Sequence, residues 1–223
     1  MLKTMSTETK VLSIIGIVTA MLVFGGVFFL SKNNSGSTTP QTPGAAVDMS
    51  LLTANAAHSI TFSDAKVTIT EFADFQCPAC ATYNPEIEQI KKEYDGKVNF
   101  YYRHFPLPMH GFARTAAKAS EAAGEQGKFW EMSSMLYSRQ DSWSKGEPTQ
   151  SFMNYAKELG LDEKAFAEVL NSSKYDGRIE QDIKDAEALN VNSTPTIFIN
   201  DQKMTKAPTA QNLRTEIDAI LNK

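Results

Sequence analysis

The sequence predicts an α/β fold with two halves of one sheet flanking a helical insertion. Three observations predict it. Lys66 to Phe72 and Val98 to Tyr102 alternate as strands on either side of a helical stripe, which is a βαβ unit with parallel strands. From about Gly111 to Asn190 only helical spacing is found. Thr196 to Ile199 then reads as a strand again, followed by a short strand around Lys203-Met204 and a terminal helix. The order is βαβ, a helical stretch at about 109–190, then ββα. One transmembrane helix is expected ahead of it all.

That expectation rests on Val11 to Leu30, twenty residues without a charge. A helix of that length spans roughly 30 Å, the thickness of a bilayer's hydrocarbon core. Lys3 and Lys10 precede it and only Lys32 follows closely, so residues 1–10 are expected in the cytoplasm and the remainder outside. A cleaved signal peptide is the alternative, although Ser31-Lys32-Asn33-Asn34 offers no small-residue cleavage site. Residues 31–47, rich in Ser, Thr, Gly and Pro, read as a flexible linker. The segment 48–223 is left as the folded domain.

Within that domain the strand Lys66 to Phe72 places Val67, Ile69 and Glu71 on one face and Thr68, Thr70 and Phe72 on the other. A helix from Pro78 to about Tyr94 carries Tyr83, Ile87, Ile90 and Tyr94 at helical spacing, and Asp95-Gly96 ends it. Phe112, Ala116 and Ala119 share a helical face, and a further helix runs from about Phe129 to Tyr137. Thr149 is read as the cap of a helix that Gly160 stops, and Asp162 as the cap of the next. Ile179, Ile183, Ala186 and Leu189 form the last stripe before the returning strand. Asn200-Asp201 is a turn signal, and Leu213, Ile217, Ile220 and Leu221 face the core from the terminal helix.

Composition narrows the chemistry. The chain is 42% hydrophobic and 22% charged with a net charge of −4, which argues against a nucleic-acid binder. Its 2 cysteines exclude a disulfide-stapled mini-protein and a four-cysteine zinc site. No P-loop and no G-x-G-x-x-G is present, and no flavin, metal or nucleotide cofactor is expected.

Both cysteines fall in one motif, Cys77-Pro78-Ala79-Cys80, between a strand and a helix. A sulfur there meets unpaired backbone N–H groups and the positive end of the helix dipole, which favour thiolate. Pro78 loses nothing at the first helical turn. Cys77 is therefore expected as the exposed, attackable sulfur and Cys80 as the buried resolving one. Half of a zinc site, or a structural staple, are the competing readings. The first lacks a second pair with ligand spacing, even counting His58, His104 and His110. The second closes too short a loop to constrain the unfolded chain much.

Glu71 shares the apolar face of the strand that feeds this turn, so a raised pKa and proton exchange with Cys80 are expected. A solvated carboxylate at a frayed strand end is the alternative. Thr194-Pro195 opens the returning strand, where proline belongs. Cis X–Pro bonds make up roughly 5% of cases, so composition alone favours trans.

Glu71-Phe72-Ala73-Asp74-Phe75-Gln76-Cys77-Pro78-Ala79-Cys80, followed by Thr194-Pro195-Thr196-Ile197-Phe198-Ile199-Asn200, resembles the DsbA-like branch of the thioredoxin superfamily over about residues 55–222. The likeness is greatest to membrane-tethered, extracytoplasmic members of bacteria with a single membrane. The resemblance implies a thioredoxin fold interrupted by a helical domain, a cis Pro195, and a Thr194 backbone that lies beside Cys77 and pairs with a substrate strand. It supports Glu71 as the buried acid and places Phe129 and Trp130 as packing in the helical domain. Many members carry histidine between the cysteines where this chain has Ala79, so a less oxidising pair is expected.

The resulting expectation is a thiol–disulfide oxidoreductase anchored in the cell membrane, acting first as an oxidase on extracytoplasmic proteins with cysteine pairs. A membrane redox partner, of quinone-reductase type or an electron donor, would reset it. A reductase or isomerase is the alternative within that class. A tethered binding protein or chaperone with an idle motif is the alternative outside it.

Overall fold

The computed structural model describes residues 47–223. The expected cytoplasmic segment 1–10, the span 11–30 and all of the linker but Val47 lie outside the described residues. Among the described residues, no helix is long and apolar enough to cross a membrane. Val47 itself is half-buried and donates its N–H to the Asp201 carbonyl at 3.0 Å.

Among the described residues, five strands form one sheet: β1 (His58–Ile60), β2 (Val67–Ala73), β3 (Val98–His104), β4 (Thr196–Ile199) and β5 (Gln202–Lys203), in the order β1-β3-β2-β4-β5. β2 and β3 are parallel, with Glu71 opposite Tyr102, and the other pairs are antiparallel. The helices are α1 (Met49–Thr53), α2 (Pro78–Glu93), α3 (Ala113–Gly124), α4 (Phe129–Ser138), α5 (Gln140–Trp143), α6 (Thr149–Glu158), α7 (Glu163–Leu170), α8 (Asp176–Ala188) and α9 (Ala210–Leu221). Helices α3 to α8 all lie between β3 and β4, as the spacing of residues 109–190 requires.

The sheet is covered on both faces. On one, Val67, Ile69, Val98 and Ile197 pack against Ile87 and Ile90 of α2 and Leu213 and Ile217 of α9. On the other, Phe72 and Phe198 pack against Leu52, Ala186 and Leu189. The reading of β2 as having a single buried face is therefore corrected: Phe72 is as fully buried as Val67. A central strand with a parallel neighbour and helices on both sides buries both of its faces. The insertion has its own core, where Ala116, Met132, Leu136, Phe152 and Phe166 meet Phe75, Tyr102 and both cysteines.

Turn chemistry mostly follows the residues. Gly96 holds φ at 77° after α2, and Asn200 turns the β4–β5 hairpin with φ at 51°. Asp162 caps α7, accepting from Lys164 and Ala165 N–H groups. Thr149 does not cap α6. It is the first helical residue, and Glu147 accepts its N–H at 3.1 Å and its hydroxyl at 2.6 Å. The cap residue is Pro148, which has no side-chain acceptor of its own.

Candidate active site

β2 ends at Ala73, and the three residues Asp74, Phe75 and Gln76 deliver the chain to Cys77, the N-cap of α2. Asp74, fully buried, organises that turn. Its carboxylate accepts the Gln76 N–H at 2.7 Å, the Leu107 N–H at 2.9 Å and His110 Nδ1 at 2.6 Å. Its carbonyl accepts the Cys77 N–H at 3.1 Å. A cleft of about 510 Å³ opens beside Pro78, lined by Gln76, Thr82, His110, Tyr137 and Gln140.

Both sulfurs are free thiols. Cys77 is 7% exposed and Cys80 is 1% exposed. The expected order of exposure holds, but Cys77 is more enclosed than a fully open nucleophile, because the insertion packs against the turn. The two thiols differ in acidity. The Cys80 thiol, donating to Cys77, does most to hold Cys77 down to about 5, and it outweighs burial, which acts the other way. Thr194 and the N–H groups of Cys80 and Ala79 add to it. Backbone amides alone therefore do not carry the effect, as the position of the motif suggested; the partner sulfur contributes more. Burial pushes Cys80 well above the ordinary thiol range, reinforced by Cys77 and by the charge of Glu71.

Thr194-Pro195 is cis, which corrects the trans expectation drawn from composition and agrees with the one implied by resemblance. The Thr194 carbonyl accepts from Cys77 Sγ at 3.4 Å. The Thr194 hydroxyl is buried and has no hydrogen-bond partner among the described residues.

Glu71 is buried on the face predicted for it. Burial raises its carboxyl to about 7, against the pull of Lys91 and with some help from Glu88. Lys91 is itself held in place. It pairs with Glu88 at 2.7 Å, and its ammonium sits 3.9 Å from the centre of the Trp130 ring. Phe129 is core as expected, whereas the reading of Trp130 as core is corrected: it packs at the edge of the insertion's core, half-buried, with a charge over its ring.

Other polar residues gather here that the spacing of the sequence did not single out. The Tyr102 and Tyr137 hydroxyls meet at 3.0 Å in the core beside the cysteines, and burial raises both phenols. His58 and His104, dismissed as zinc ligands on spacing, do come together. Their Nε2 atoms lie 3.3 Å and 2.9 Å from the buried Glu121 carboxylate. Burial would raise that carboxyl, but the two imidazoles outweigh it and hold it at about 2. Among the described residues no cluster has the make-up of a metal site.

The family model described as thioredoxin matches residues 54–219. In fold the chain is similar to BdbD from Bacillus subtilis in its oxidised form, with a TM-score of 0.69 and 23% identity, covering 82% of this chain and all of that one. It is also similar to Pseudomonas aeruginosa DsbA2, with a TM-score of 0.57 and 25% identity over 74% of this chain and 93% of that one. Among curated proteins, the Na(+)/H(+) antiporter NhaA 3 of Salinispora tropica is 39% identical over 141 residues, which are 63% of this chain and 21% of that protein. The Na(+)/H(+) antiporter NhaA 1 of Mycolicibacterium vanbaalenii is 39% identical over 142 residues, 61% of this chain and 22% of that protein. The chain spans about a fifth of the length of these curated relatives. With a thioredoxin match over most of its length, a dithiol at the head of α2 and a cis-proline opening β4, the chain belongs to the thioredoxin family.

Proposed function

We propose that this chain is a DsbA-like thiol–disulfide oxidoreductase that introduces disulfide bonds into extracytoplasmic proteins through Cys77 and Cys80. The observation that carries this reading is the opposed acidity of the two sulfurs, with Cys77 near 5 and Cys80 far above it. An acidic thiol is a good leaving group, so a mixed disulfide at Cys77 resolves toward the substrate. Its stable thiolate also favours the reduced protein, which makes the pair oxidising.

The cycle follows. A substrate thiolate attacks Cys77 Sγ of the Cys77–Cys80 disulfide, forming the mixed disulfide. The Cys77–Cys80 bond breaks, and Cys80 leaves with the electron pair. Glu71, protonated below about pH 7, gives its proton to the Cys80 thiolate. A second substrate thiolate then attacks the substrate sulfur, and Cys77 departs as thiolate. Two electrons have passed from substrate to protein. The backbone beside Thr194 and Pro195 supplies the edge on which the substrate strand lies. Pro78 and Ala79 shape the turn, and Ala79 offers no side-chain donor to the thiolate, so the pair should be less oxidising than histidine-bearing relatives.

The place of action is part of the proposal. The uncharged run 11–30 anchors the chain as a single pass with residues 1–10 in the cytoplasm, and residues 31–47 tether the catalytic domain 48–223 outside. A membrane redox partner reoxidises the dithiol.

Glu71→Gln tests the proton step. The rate of oxidation in the native protein should fall as pH rises through about 7, and the variant should lose that inflection. An unchanged profile would remove Glu71 from the mechanism. Stability gives a second reading of the same residue. A carboxyl raised from 4.5 to about 7 stabilises the fold below pH 4.5 and loses that contribution as pH climbs through 7. Glu71→Gln should therefore be the more stable protein at pH 8, by roughly 3 kcal/mol, in urea titrations.

A further inference from the structure

Gln140 opens α5 and reaches from the insertion into the redox turn. Its Nε2 donates to the Phe75 carbonyl at 2.8 Å and to the Cys77 carbonyl at 3.0 Å. A primary amide has two N–H groups, so both are used on the carbonyls that bracket Gln76. Among the described residues, Phe75's carbonyl has no other hydrogen-bond partner, while that of Cys77 also accepts the first helical bond from Ala81 at 3.2 Å. Gln76 reaches the other way. Its Nε2 donates to the Ser144 carbonyl at 2.9 Å, and its Oε1 accepts the Phe112 N–H at 2.7 Å. Gln140 stands on firm ground, since Trp143 at the far end of α5 is buried and donates Nε1–H to the Leu136 carbonyl at 2.8 Å.

We propose that Gln140 is a positioning residue that couples the helical insertion to the reactivity of Cys77. The inference rests on the redox reading above and adds a residue to it. Cys77 has N-cap geometry, with φ −74° and ψ 121°. Its ψ fixes where its carbonyl points and, with that, whether the N–H groups of Ala79 and Cys80 face Sγ. By gripping the carbonyl, Gln140 holds ψ and keeps those donors aimed at the sulfur. Without that grip the turn samples other settings and the thiolate loses part of its solvation by the backbone. Gln140 touches neither sulfur; it acts through the carbonyls alone.

The test compares three variants of the full chain by thiol titration and by equilibration with glutathione. Gln140→Leu removes the donor at similar volume. The Cys77 midpoint should rise by ~0.5–1 unit, and the dithiol–disulfide equilibrium should move ~5-fold toward the disulfide, the scale of one net hydrogen bond. Gln140→Glu offers one donor while its carboxyl is protonated and none once it ionises, so it should approach the native protein only at low pH and add a titration step to the equilibrium beyond those of Cys77 and Glu71. Gln126→Leu is the control. It breaks a similar two-way tie, with the Asp162 backbone, far from the turn, and should leave the Cys77 midpoint unmoved. If native Cys77 is acidic but Gln140→Leu leaves it so, this proposal fails and the redox reading stands. Equal shifts in Gln140→Leu and Gln126→Leu also overturn it, since general loosening would then be the cause. An ordinary Cys77 in the native protein would sink the redox reading itself.

Discussion

Cys77→Ser should reduce disulfide exchange to the uncatalysed level, while Cys80→Ser should leave a protein that still reacts once. The asymmetry follows from burial and acidity. Cys77 is the more accessible sulfur and the acidic one, so every incoming thiolate meets it first. Cys80 is enclosed and its thiol is held protonated far above neutral pH. With serine at its place, a mixed disulfide at Cys77 has no resolving partner within the protein and should accumulate, visible on a non-reducing gel. Cys80→Ala should also raise the Cys77 midpoint, because the Cys80 thiol does most to hold it down. Insulin reduction assays check the first variant. A tethered binding protein with an idle motif would lose nothing in either.

Arg103→Met should be among the most destabilising single substitutions in the domain. Arg103 is fully buried in β3 and serves three elements. Its Nε donates to Asp182 at 2.6 Å, its Nη2 pairs with Asp185, and its Nη1 donates to the carbonyls of Leu51, Leu52 and Ala54 at 2.7, 3.2 and 3.3 Å. The guanidinium thus ties α8 to the sheet and closes the C-terminal end of α1. Methionine would fill much of the volume but strand Asp182 and Asp185 as buried charges. Removing one partner of such a group costs about 3–5 kcal/mol, against a total stability of about 5–15 kcal/mol for a domain. Urea titration measures the loss. Lowering the pH should narrow the gap, because protonation relieves the stranded carboxylates. A loss under about 1 kcal/mol would mean that the network is already neutral or hydrated.

The order of strands and helices was legible because periodicity records which face is buried, and the long stripes of α2, α8 and α9 each bury a clear face. The CxxC motif and Glu71 were legible for a related reason: local position at a strand end and a helix start determines their environment. What escaped lay in polar pairings between residues distant in sequence. Asp182 lies on the apolar stripe of α8, three residues after Ile179 and four before Ala186, so a charge falls on a buried face; the spacing does not reveal that Arg103 comes to meet it there. His58, His104 and Glu121 belong to β1, β3 and α3, and nothing in their spacing brings them together. Gln140 has no signal beyond being a polar residue in a short helix. β1 and α1 were missed because three and five residues are too few to show a period. The enclosed state of Cys77 was missed because the insertion's approach to the turn is a tertiary fact.

Ultraviolet titration of the Cys77 thiolate in the reduced protein is the most direct test. The account requires half-ionisation at about pH 5. Ionisation near the ordinary thiol value of 9 would contradict it, and with it the proposed direction of exchange.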